Sequence, residues 1–235
     1  VLAAALALSS FEAGQRVRRG GYQLHRIAAP EAAATEAARL RAAGLAVEVV
    51  PEAEARAAER PWMVMGGAWA GEVAALRGED GGTREVSPAA LLLVVRGPIA
   101  RATEGVPQIK RVRLAFPQEG QRVHLHLRGE AQPLEVDPEA FEMGGGAGAA
   151  TARMSGWLRS LAGQVPVDDG FARLAPALSP AAAVTGGAAA AARAHYEGQA
   201  RARPAALQLD NVAQFRFYSG WRAAVERRRG AGRPG

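Results

Sequence analysis

Large apolar residues are concentrated most heavily between Pro88 and Ile99, where Leu91 to Val95 run without polar interruption. A block of this kind predicts a strand buried on both faces. Arg96, Gly97 and Pro98 follow it and are expected to end it, since proline cannot donate to a sheet ladder. Before the block, residues 22–27 alternate weakly, residues 31–43 carry a small-residue helical face closed by Gly44, and residues 45–50 alternate again. That order predicts a strand, helix, strand unit with parallel strands. Residues 62–76 and 83–86 flank Gly78-Glu79-Asp80-Gly81-Gly82, a hairpin signal, and the Gly66, Gly67 and Gly71 cluster predicts a bulge or bend.

After the block, apolar and polar positions alternate strictly over 111–116, 122–128 and 134–137, which predicts three half-buried antiparallel strands joined by 117–121 and 129–133. Matching apolar faces sets Leu127 opposite Leu134 and Leu125 opposite Val136, with His126 opposite Glu135 and His124 opposite Asp137 on a solvated face. Residues 151–162 form an amphipathic helix, 179–204 an alanine-rich, low-complexity stretch. Asp210 or Asn211 caps a last helix with Val212, Phe215, Tyr218, Trp221 and Val225 at spacings of three and four. The whole reads as an α+β fold: a mixed β-sheet with an N-terminal β-α-β unit and antiparallel hairpins, followed by a helical C-terminal region. The expected divisions are 1–20 (a first helix, or the remnant of a leader), 21–143 and 144–235.

Composition changes this picture further. Of 235 residues 55 are alanine, so the large apolar residues support a packed core over only part of the chain. A single lysine, Lys110, against 28 arginines has the bias of a GC-rich bacterial genome. The net charge of +6 is carried almost entirely by residues 215–235, at +5, so the body is close to neutral. Without cysteine, thiolate metal sites, disulfides and a cysteine nucleophile are excluded.

Chemistry is sparse. Between Ile27 and Pro30 stand two alanines where a phosphate cradle needs glycines, which argues against a nucleotide fold. The serines sit in no Gly-x-Ser-x-Gly context. Asp168-Asp169-Gly170 is expected to cap a turn. The sharpest pattern is His124-x-His126: alternate residues of a strand share a face about 7 Å apart, and with Glu135 and Asp137 opposite they make a candidate two-His, two-carboxylate metal set. His124-x-His126-x3-Glu130 also has the spacing of the first metal motif of cupins, over those seven residues alone and without a counterpart to the second motif's histidine. Ordinary cross-strand pairing of the histidines with the carboxylates accounts for the same pattern. Arg111, Arg113, Arg122 and Arg128, and Arg227, Arg228 and Arg229 in the tail, are candidate contacts for an acidic partner.

The expected function is therefore a non-catalytic interaction or regulatory protein, without a cofactor, located in the cytoplasm and partnered by another protein. The alternatives are a metal-dependent enzyme on the His-x-His strand and nucleic-acid binding through the arginine face or tail.

Overall fold

The computed structural model describes residues 1–104, 115–138, 140–141, 147–161, 163–174 and 207–231. The fold is α+β, as expected. Its strands are β1 Trp62–Ala70, β2 Val73–Gly78, β3 Thr83–Val86, β4 Leu91–Glu104, β5 Ala115–Leu127, β6 Leu134–Val136, β7 Val167–Asp168 and β8 Leu207–Asp210. They form one mixed sheet in the order β3-β2-β1-β6-β5-β4-β7, with β8 also pairing β4. The helices are α1 Leu2–Leu6, α2 Ser10–Arg19, α3 Pro30–Ala42, α4 Glu52–Ala55, α5 Ala147–Ser160 and α6 Val212–Ala231. No helix among the described residues is long and apolar enough to cross a membrane.

Residues 91–95 are buried on both faces, as the apolar run predicts. One face of the sheet holds Leu91, Val94, Leu125 and Leu134 against Met154 and Trp157 of α5 and Leu161 just after it. On the other face, Leu92, Leu93, Val95 and Ile99 meet Phe215, Tyr218 and Trp221 of α6. The aromatic stripe of the last helix thus folds back on its own sheet. Phe217 and Val225 are buried as well, because α4 and the N-terminal segments cover the far side of α6. A helix enclosed on both sides needs apolar residues nearly all round.

Two expected chain breaks are absent. β4 runs on through Gly97 and Pro98 to Glu104, and β5 runs through the expected 117–121 connection, so the two pair without interruption from Leu93 to Glu104. Pro98 is tolerated because the far side of β4 pairs β7 only at Val94 and Val95 and β8 only from Arg101 onward. A proline between those ladders forfeits no bond on that side. The strand expected at 111–116 lies partly, and the stretch 179–204 wholly, outside the described residues.

The N-terminal β-α-β unit is a correction. Its helix is present as α3, but neither 22–27 nor 45–50 enters a ladder. Side chains occupy the carbonyls a neighbouring strand would use: Arg41 donates to Val47 O and Arg228 to Val49 O. Tyr22, Leu24 and Val50 pack against the α6 side of the core instead. The expected single helix over 1–20 is divided, because Ser9 and Glu12 form a capping box that starts α2. The bulge expected in the glycine cluster falls between Val64 and Gly66, and the 78–82 turn joins β2 to β3.

Gly220 sits where α6 crosses α4, and a Cβ there would be driven into the Ala55 carbonyl oxygen. Gly220→Ala should therefore destabilise the fold by about 1–3 kcal/mol. Gly230→Ala, in open space on the same helix, should be neutral or stabilising by up to ~1 kcal/mol. Urea unfolding of the two variants checks both, and equal effects would contradict this packing.

Candidate functional site

Strand alternation sends Arg122, His124 and His126 of β5 to the face that α6 covers. Glu135 of β6 joins them, but in a register two residues away from the expected one: His124 pairs Glu135 and Leu125 pairs Leu134. A slip of two keeps every side chain on its face, so apolar matching could not distinguish the two registers. The face differs from expectation as well. It is not solvated: His124 is 0%, His126 1% and Glu135 1% exposed.

From α6, Ser219 places its hydroxyl between the two imidazoles, 2.9 Å from His124 Nδ1 and 2.7 Å from His126 Nε2. His124 Nε2 lies 2.9 Å from Glu135 Oε2. Arg216, also on α6, grips the same carboxylate through Nε at 2.7 Å and Nη2 at 3.0 Å. Arg122 pairs with Asp137 at 2.6 Å, and the residue that His124 faces across the ladder is Glu135.

These contacts fix the protons. Glu135 is ionised: burial alone would raise its pKa, but the hydrogen bonds from His124 and Arg216 outweigh that and hold it at about 2. A carboxylate only accepts, so His124 carries its proton on Nε2 and its Nδ1 accepts from the Ser219 hydroxyl. Ser219 then has lone pairs to offer, and His126 donates to it from Nε2. Every donor points toward Glu135. His126 Nδ1 is left as a buried acceptor without a hydrogen-bond partner.

Burial pushes both histidines below their ordinary value. For His126 the charges of Arg227 and Arg222 add to the effect, while for His124 the Glu135 carboxylate opposes it. With both rings neutral, Arg122 and Arg216 balance Glu135 and Asp137. A second cluster lies across β4, where Asp168 accepts from Tyr218 Oη at 2.7 Å, Arg222 Nε at 2.7 Å and its own turn's Gly170 N at 2.9 Å. Burial and the Asp168 carboxylate push the Tyr218 phenol up. The turn cap expected of Asp168 is present, and it also tethers α6.

Ser219, His124 and Glu135 have the connectivity of a nucleophile, base and carboxylate. That connectivity lies buried between α6 and the sheet. Ser219 is fully buried within a helix and its hydroxyl is engaged by both histidines. Three of the four imidazole nitrogens are spoken for by protein groups, and among the described residues no group of three or more His, Cys, Asp or Glu is arranged to hold a metal ion. Glu130, at the cupin-like spacing, is an exposed partner of Arg84. What this seam can do is hold α6 against the sheet in one register and one protonation state.

Arg111 and Arg113 lie outside the described residues. Arg122 is buried in the seam, a correction to its expected place on a solvated arginine face. Arg128 donates to Ala89 O, Arg227 to Glu130 O, Arg228 to Glu54, and Arg229 lies over the Tyr22 ring. Ser219, Arg216 and Arg222 are absent from the candidates drawn from sequence. The available signal was polar residues beside Phe215 or one helical turn from Phe215 and Tyr218, on the last helix.

A second feature stands on the far side of α6. A cavity of about 610 Å³ opens between it and the N-terminal elements, lined chiefly by apolar residues such as Leu24, Leu40, Val50, Phe217 and Trp221.

Two outcomes follow for the seam. Ser219→Ala strips two buried ring nitrogens of their partner and should cost about 2–4 kcal/mol in urea unfolding. Because both histidines are neutral in the fold but titrate near 6.5 when unfolded, the unfolded chain binds more protons below that pH. Stability should thus be fully present above about pH 6.5 and fall below it, by up to about 1.4 kcal/mol per pH unit per histidine. His126→Gln, which keeps a donor toward Ser219, should flatten that slope by roughly half. An unchanged slope would contradict the assignment.

Compared with protein-family models, curated proteins and solved structures, the chain matches none of them.

Proposed function

We propose that this chain is a non-catalytic interaction or regulatory protein that works by binding in the cavity between α6 and the N-terminal layer. The supporting observation is the cavity itself. Its volume of about 610 Å³ is in the range of small-molecule sites, and its walls are mainly apolar. The groups with catalytic potential are elsewhere, buried between α6 and the sheet and engaged with one another.

The layer that closes the cavity is lightly held. α3 has an alanine-rich sequence, and the segments 22–27 and 45–50 make no ladder bonds. Filling the cavity would shift how this layer rests on α6, which is how a binding event would be passed to a protein partner.

Ala33 lines the cavity from α3 and is only half-buried, so Ala33→Phe fills space without a forced clash. Titration with 1-decanol, read by tryptophan fluorescence through Trp221 in the cavity wall, should saturate in the wild-type protein. The variant should bind at least about tenfold more weakly. Absence of any saturable signal in the wild type would sink the reading.

A further inference from the structure

We infer that the cavity takes an amphipathic anion: a ligand with an extended apolar body and a single anionic head, of the fatty-acid type. This inference rests on the binding reading above and adds the charge of the ligand. The apolar walls set the body. Against Leu24, Leu40, Val50, Phe217 and Trp221 an apolar body gives up no hydrogen bond to water, whereas a polar body could be met only where Tyr22, Gln23 and His25 reach the cavity.

The head is set by the charges at the same wall. Three carboxylates reach it, Glu36, Glu48 and Glu52. Two of them are occupied: Glu36 pairs with Arg39 at 2.7 Å and lies 3.6 Å from His25, and Glu52 pairs with Arg56 at 2.6 Å. Of the arginines that line the cavity, Arg229 has an acid neighbour, Glu226, at 3.4 Å. Arg16 and Arg26 enter no ion pair among the described residues. The acid one helical turn before Arg16, Glu12, is turned to the Ser9 cap. The Arg16 charge is still felt by Glu12, whereas Arg26 has no acid beside it among the described residues. Two guanidiniums outside ion pairs face the one carboxylate of Glu48, and a guanidinium is the side chain best shaped to hold a carboxylate.

The test uses three probes that share one ten-carbon chain: decanoate, 1-decanol and decylammonium, each below its micelle concentration and read by the same fluorescence titration. The chain should bind decanoate most tightly and decylammonium at least about tenfold more weakly than decanoate. Arg16→Gln with Arg26→Gln, on exposed or half-buried positions that the fold does not need, should weaken decanoate about tenfold and leave 1-decanol unchanged. Ala33→Phe should weaken all three. Equal affinity for the three probes, or a double variant that binds decanoate as the wild type does, overturns the anionic head while leaving an apolar binding site. Failure of every probe overturns both the head and the site. Binding that Ala33→Phe leaves untouched places the probes elsewhere and overturns the inference as well.

Discussion

The rest of the structure depends on the docking of α6 against the sheet through the Ser219 hydroxyl. One oxygen accepts from His126 and donates to His124, and His124 donates to Glu135, which Arg216 clamps from the helix side. Apolar contact alone would let a helix of twenty residues slide or rotate on a flat apolar surface at small cost. Directional bonds between buried polar groups do not allow that, because any displaced register leaves charges or ring nitrogens unpaired at several kcal/mol. Phe215, stacked edge-on to the His124 ring at 4.8 Å between centroids, ties the apolar and polar halves of this contact together.

Once α6 is fixed, it becomes the floor for the N-terminal third. Gly220 lets α4 approach at backbone distance, Arg228 reaches the Val49 carbonyl and Glu54, and Arg229 covers Tyr22. The basic charges concentrated at the end of the chain are thus partly structural: they satisfy carbonyls and carboxylates of segments that carry no strand pairing of their own. The division of labour follows from this. The sheet-facing side of α6 is closed and polar at its centre, and the opposite side is apolar and covered by α4 and the N-terminal segments around a cavity, which is where a ligand has room.

Much of the sheet was legible. Leu91 to Val95 announced a doubly buried strand, the 78–82 turn a hairpin, and the stripe from Val212 to Val225 a helix that must bury. His124 and Glu135 were recognised as sharing a face. What sequence could not carry was the cover over that face. Arginine, histidine and glutamate alternating with leucine and valine read as a solvated surface, and the helix that buries them lies some eighty residues further on. The register failed for a related reason: a two-residue slip preserves the pattern of faces, and only the bonds to Glu135 and Asp137 choose between the options. Pro98 and Pro117 were read as breaks because local rules assume ladder partners on both sides of a strand, whereas β4 has a gap beside Pro98.

In the helix-docking seam the two histidines are neutral and internally bonded. The most direct measurement is long-range proton–nitrogen correlation NMR of the imidazole rings in uniformly labelled protein at pH 7. His124 and His126 should both appear as neutral rings protonated at Nε2, each with an unprotonated Nδ1. A charged ring, or a proton on Nδ1 of either histidine, would contradict it.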